Sequence, residues 1–193
     1  MLRWEGNLNR VVWDTEAKNS KFDTEDWTDY RERAGIGLAC VYDLNTKQYE
    51  FYDSSNIEDL ASRVEKADEV ISYNGVQYDH CVLDAVLGRR VFIRREVDLW
   101  VVLKACMNHS WERGDWKLGA VCERTIGFTK NGNGAHAPEL LGKGKIGDLT
   151  TYLINDVWLT AKLYEFITTY GYVVQPDDTI LHVGRRIEVL SDA

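Results

Sequence analysis

Gly35-Ile-Gly-Leu-Ala-Cys-Val-Tyr42 and Gln48-Tyr-Glu-Phe-Tyr52, joined by Asp43-Leu-Asn-Thr-Lys47, are the stretch whose reading decides the fold of this 193-residue chain. Both flanks are rich in β-branched and aromatic residues, and a short polar connector between two such runs is hairpin chemistry. Two antiparallel strands are therefore expected. Upstream, Asn9-Arg-Val-Val-Trp-Asp14 reads as a further strand, and the polar stretch from Ala17 to Arg33 reads as the loop leading into the hairpin. Downstream, Ile57, Leu60, Ala61 and Val64 recur at helical spacing over 57–67, with Ser55 or Asn56 available as cap. Glu69-Val-Ile-Ser-Tyr73 is again a strand, closed by the turn pair Asn74-Gly75.

Further along, helices begin to separate the strands. Tyr78 to Leu87 reads as a helix stopped at Gly88, and Val97 with its neighbours as a short strand. Asp98 can cap a helix running to about Met107, and Asp115 a helix from Trp116 to about Ile126. Gly127 to Gly147 holds six glycines with Lys130, Lys143 and Lys145, the composition of a mobile surface loop. Asp148 opens the longest helix, which runs to about Tyr170 before Gly171. Tyr172-Val-Val and Ile180-Leu-His-Val, followed by Arg186-Ile-Glu-Val-Leu190, read as a small terminal β-hairpin. Strands joined by tight turns pair antiparallel, and strands reached through helices pair parallel. The expectation is an α/β fold: a mixed five-stranded sheet flanked by helices, ending in the hairpin from 171 to 193.

Bulk properties are consistent with one domain over 1–193, since this length supplies one full core and would be cramped for two. Hydrophobic residues at 45% and charged residues at 28% are ordinary for a soluble protein. No apolar run approaches the eighteen or so residues of a membrane span, and Met1 to Arg10 has no apolar signal core, so cytoplasm is the expected compartment. Cys40, Cys81, Cys106 and Cys122 are widely spaced and read as reduced thiols. Cys106-Met-Asn-His109 lacks the second ligand pair of a structural zinc site. A net charge of −8 argues against a protein that coats nucleic acid. It does not exclude an enzyme acting on nucleic acid, because divalent cations reverse the field of a carboxylate site.

Three local patterns bear on chemistry. Asp14 and Glu16, two apart at a strand end, point to the same face and can share one hard cation. Alone, such a pair is equally a solvated strand end. In Asn74-Gly75-Val-Gln-Tyr78-Asp79 a strand runs through a turn into a helix that starts with an acid, which the helix dipole by itself would favour. Tyr152 and Asp156, four apart in the long helix, lie on one face. An acid among Leu153, Ile154, Val157, Trp158 and Leu159 is costly unless it is exposed or partnered.

Taken in chain order, these motifs resemble the DEDD 3′–5′ exonucleases of the RNase H-like superfamily. That superfamily carries D-x-E on its first strand, N-x-x-x-[FY]-D in the middle and, in its tyrosine (DEDDy) branch, Y-x-x-x-D near the end. The sister branch has histidine five residues before the last acid, where this chain has Thr151. Asp98-Leu-Trp100, Lys117-Leu118, Ala137-Pro138-Glu-Leu140 and Tyr152…Asn155-Asp156-Val157 also resemble a stand-alone group of predicted bacterial and viral exonucleases. The resemblance spans Val11 to about Val174.

It implies an RNase H-like domain with its catalytic motifs within 11–170, cleaving phosphodiesters at single-stranded 3′ ends of DNA or RNA. Two divalent cations, Mg²⁺ or Mn²⁺, would be held by Asp14, Glu16, Asp79 and Asp156, with Tyr152 positioning the attacking water. Thr15 and Asn74 would lie near the terminal nucleotide. Lys130, Lys143, Lys145, Arg89-Arg90 and Arg94-Arg95 are candidate phosphate contacts that fit solvated surface cations equally well. His80, His109, His136 and His182 receive no role. A non-catalytic binding module, an endonuclease and a small-nucleotide phosphodiesterase are the competing readings.

Overall fold

The computed structural model describes residues 8–19, 26–107, 114–130 and 137–184. Its first strand, β1 (Arg10–Ala17), pairs antiparallel with β2 (Ile36–Asp43), which pairs antiparallel with β3 (Tyr49–Tyr52). Alternation along β1 serves two cores, with Val12 facing one cluster and Val11 and Trp13 the other. That double burial explains why the strand reads as a nearly continuous apolar run.

Between β1 and β2 lies α1 (Trp27–Ala34), where a loop was expected. Asp26 caps it by accepting from the Thr28 amide. Among its described side chains Tyr30 and Ala34 are buried, one turn apart amid Asp29, Arg31, Glu32 and Arg33.

After β3 come α2 (Ile57–Glu65), β4 (Glu69–Ser72), a 3₁₀ turn at Gly75–Gln77, α3 (Asp79–Leu87), β5 (Glu96–Asp98) and α4 (Leu99–Cys106). Leu60, Ala61 and Val64 are buried as their spacing predicts. Asn56 sits at the cap position of α2, but its Oδ1 accepts from the Asp53 amide instead. Gly88 ends α3 in the left-handed region, φ 63°.

Two expectations about the following segment are corrected. Helix α5 (Leu118–Ile126) starts after Lys117, so Asp115 lies outside its cap position. The glycine-rich segment, expected to be loop, contains α6 (Ala137–Gly142). Pro138 suits a first helical turn, where an amide proton has no partner to lose. Leu140 and Leu141 pack on the core, and Gly37 of β2 makes that possible, since a Cβ there would lie 2.2 Å from Leu141 Cδ1. The long α7 (Ile146–Tyr170) begins two residues before Asp148 and ends at Gly171, φ 77°. β6 (Tyr172–Val174) and β7 (Ile180–His182) form the expected hairpin. Arg186–Leu190, His109 and His136 lie outside the described residues.

The main sheet has the order β3-β2-β1-β4-β5, with β1, β4 and β5 mutually parallel. Helices α4, α5 and α7 cover one face, contributing Leu103, Val121, Leu153 and Leu163. Helices α1, α2 and α3 cover the other, contributing Tyr30, Leu60, Val82 and Leu83. This is the mixed, helix-flanked five-stranded sheet anticipated from sequence. β4 pairs with β1 only as far as Ile71 opposite Val12, so β1 runs on past its neighbour. The chain leaves β1 toward β2 and β4 toward β5, in opposite directions. The carboxyl ends of β1 and β4 thus frame a crevice of the kind in which α/β sheets hold ligands. Among the described residues no helix is long and apolar enough to cross a membrane.

Candidate active site

Asp14 and Glu16 stand on the extended end of β1, on the face covered by α7. Asp156 comes down from α7 onto the same spot. One carboxylate oxygen from each of the three lies within 4.8 Å of the others. Glu16 and Asp156 are buried, and Asp14 is half-buried. Apolar α7 residues on either side of Asp156 (Leu153, Val157 and Leu159) are themselves fully buried, so the helix has no freedom to rotate the acid away.

Asp79 reaches the site from the opposite face of the sheet. Because β4 has left the ladder, the Thr15 amide has no strand partner there, and it donates to Asp79 Oδ1 at 2.9 Å. The Thr15 hydroxyl donates to the same oxygen at 2.6 Å. Asp79 therefore adjoins the three-carboxylate cluster as a tethered neighbour. Thr15, expected beside the terminal nucleotide, is only 4% exposed and acts as that tether.

The turn that carries Asn74 is built by a residue whose wider role the sequence did not reveal. Ser72 and Asp98 are paired at the ends of β4 and β5. From there the Asp98 carboxylate accepts from the amides of Asn74 (2.8 Å) and Val76 (3.1 Å) while also capping α4 through Trp100 and Val101. The cap was legible as a local motif; the grip on the turn crosses between strands and was not. Asn74 takes a left-handed φ of 69°, and a Cβ on Gly75 would lie 2.5 Å from Ser72 Oγ. The Asn74 side-chain amide makes no hydrogen bond among the described residues, and it is half-buried at the mouth of the crevice.

Lys130 departs most from expectation. Predicted as a surface phosphate contact on a mobile loop, it instead places Nζ 2.6 Å from Asp156 Oδ2 and 3.1 Å from Tyr152 Oη. Lys143 and Lys145 are exposed and paired with Glu139 and Asp148. Arg89 pairs with Glu58 and Glu65, Arg94 with Asp68 and Arg95 with Glu69. His80 is held by Glu96 and the Val91 carbonyl, away from the acids.

Burial and mutual repulsion make this cluster reluctant to ionise fully. Burial pushes Asp14 well above the usual carboxylate range, and the charges of Asp79, Asp156 and Glu16 add to the effect. Glu16 rises to about 8 through burial and Asp156. Burial takes Asp79 to about 7 against the two hydrogen bonds from Thr15. Asp156 is raised by burial despite Lys130. Tyr152 is held above its ordinary value by burial and Asp156, so its hydroxyl is a hydrogen-bond donor rather than a base. Burial alone would depress Lys130, but Asp156 and Tyr152 outweigh it and keep the ammonium charged.

The donor set fits a hard divalent cation. All ligand atoms are carboxylate oxygens, and Asp156 Oδ1 is buried with no hydrogen-bond partner among the described residues. Thr15→Val tests the tether. Losing the hydroxyl bond to Asp79 is expected to weaken divalent-ion binding by about tenfold, as other outer-sphere changes do, measured by titration calorimetry.

No protein-family model matches the chain, and no curated protein matches it in sequence. In three dimensions it is similar to the family B DNA polymerase from the hyperthermophilic archaeon Pyrobaculum calidifontis, with a TM-score of 0.64 at 17% identity. The match covers 84% of this chain and 25% of the polymerase chain, so this protein spans about a quarter of the length of its structural neighbour. At that identity the likeness is one of fold alone, a mixed five-stranded sheet flanked by helices.

Proposed function

We propose that this chain is a divalent-cation-dependent 3′–5′ exonuclease, acting on single-stranded ends of DNA or RNA and releasing nucleoside 5′-monophosphates. The observation that carries the proposal is the convergence of Asp14, Glu16 and Asp156 from β1 and α7, their oxygens within 4.8 Å, with Asp156 Oδ1 buried and without a hydrogen-bond partner among the described residues. The order of the motifs along the chain and the fold shared with part of a DNA polymerase support it.

In this reading Asp14, Glu16 and Asp156 hold one cation, while Asp14 and Asp79 support a second. Held there, Mg²⁺ or Mn²⁺ would supply Lewis-acid chemistry to phosphodiester hydrolysis. The protein's own groups do the positioning. Thr15 fixes Asp79 Oδ1, which keeps that carboxylate aimed at the crevice. The protonated Tyr152 hydroxyl orients the attacking water. Asp98 holds the backbone of the turn so that the Asn74 amide is available to the terminal nucleotide. The cytoplasm is the compartment in which we place this activity.

The test is product length. With 5′-labelled single-stranded DNA and RNA and Mn²⁺ or Mg²⁺, the folded protein is expected to give a ladder of single-nucleotide steps from the 3′ end. Internal cuts would make it an endonuclease. Divalent-ion uptake without any shortening would leave a binding module.

A further inference from the structure

Among the described residues, Lys130 is the single cation that forms an ion pair with any of the four site acids. Its approach is built into the fold. The stem of Lys130 lies over Gly119 of α5, where an added Cβ would come within 3.0 Å of Lys130 Cγ and 3.3 Å of its Cβ. A larger residue at 119 would crowd the stem. Above the stem, Nζ sits 5.3 Å from the centre of the Tyr152 ring. The glycine slot and the aromatic face together guide the chain inward, and Nζ ends 2.6 Å from Asp156 Oδ2.

That carboxylate is one of the three that converge, so the ammonium is in contact with an oxygen-donor group that a divalent cation would also use. Two positive charges on one carboxylate repel strongly at such range, even with the screening typical of a protein site. The Lys130 side chain is 29% exposed, which leaves it a way out.

We infer that Lys130 is a resident counter-ion that occupies Asp156 when metal is absent and competes with divalent cations for it, thereby setting the metal concentration at which the site fills. This rests on the divalent site proposed above. Without Lys130, nothing among the described residues would neutralise the converging acids before metal arrives. With it, the acids stay gathered and Tyr152 stays in register. The cost is a weaker first affinity for metal, because the incoming ion must displace Nζ from Asp156. The flexible lysine stem then turns outward over Gly119.

Calorimetric titration of Mn²⁺ into the wild type, Lys130→Met and Lys130→Arg at low ionic strength tests this. Lys130→Met is expected to bind Mn²⁺ about tenfold or more tightly than wild type, the size of effect expected when a neighbouring like charge is removed. Lys130→Arg, which keeps the charge, is expected to stay within a few-fold of wild type. Because Lys130→Met leaves Asp156 uncompensated, thermal unfolding is followed too: adding Mn²⁺ should raise its Tm by more than it raises that of wild type. Equal or weaker affinity in Lys130→Met beside normal uptake by wild type would overturn the inference, as would equal tightening in Lys130→Arg or equal Tm rises. No uptake by any of the three proteins overturns the divalent site itself, and the inference with it.

Discussion

Asp14→Ala is expected to lower divalent-dependent cleavage by on the order of 10³-fold, in line with the loss of one preorganised electrostatic group in other active sites. Asp14 is the acid whose ionisation feels the other three, since Asp79, Asp156 and Glu16 all raise it. It is also the one assigned to both cations. The same substitution should not destabilise the metal-free fold. It removes a charge from a repelling, largely buried group and leaves the apolar residues around it in place, so Tm in a chelator at pH 8 should hold or rise. The combination separates a catalytic loss from a folding loss. Undiminished cleavage by Asp14→Ala would mean that a contaminant had produced the activity.

A second large effect is expected in the dependence of stability on pH. Glu16 has a folded value near 8 against 4.5 for the isolated group, and Asp79 one near 7 against 3.8. An acid whose value is raised by folding binds more protons in the native state than in the unfolded chain over the interval between its two values. Stability must therefore fall as pH rises through that interval, from about 4 to about 8, and level off above it. His80 acts in the same direction: Glu96 raises it from 6.5 to about 9, so its stabilising contribution is complete below 6.5 and is lost as pH climbs through 9. Asp43, Glu65 and Glu165 are lowered and oppose this only on acidification below the ordinary carboxylate range. Between about pH 5 and pH 8 the raised groups dominate, and the metal-free protein should lose on the order of a few kcal/mol. Divalent cations bind the ionised carboxylates and should remove most of the slope. Melting curves in chelator and in Mn²⁺ across that range provide the check. A flat curve in chelator would mean that burial does not raise Glu16 and Asp79 as their place in the site requires.

Much of this protein could be read from short range. The β-branched and aromatic runs at 10–14 and 36–42, the spacing of Leu60, Ala61 and Val64, and the left-handed glycines at 88 and 171 became the elements they suggested. The same-face rules for neighbours two apart in a strand and four apart in a helix also indicated that Asp14 would pair with Glu16, and Tyr152 with Asp156. These are local properties of the backbone, so a single sequence carries them. Helix α1 was missed because the charged Asp29, Arg31, Glu32 and Arg33 dominate its sequence, and α6 because glycines surround the two leucines that anchor it. What only the folded chain decided is which polar group meets which across the sheet. Thr15 became a tether because β4 stops short of it and leaves an amide facing Asp79, 64 residues away. Asp98 gripped the Asn74 turn because β5 ends beside β4. Lys130 turned inward because Gly119 of the preceding helix α5 leaves a slot for its stem. Partners like these are chosen by where strands end and which surfaces pack, and no periodicity in the sequence encodes that.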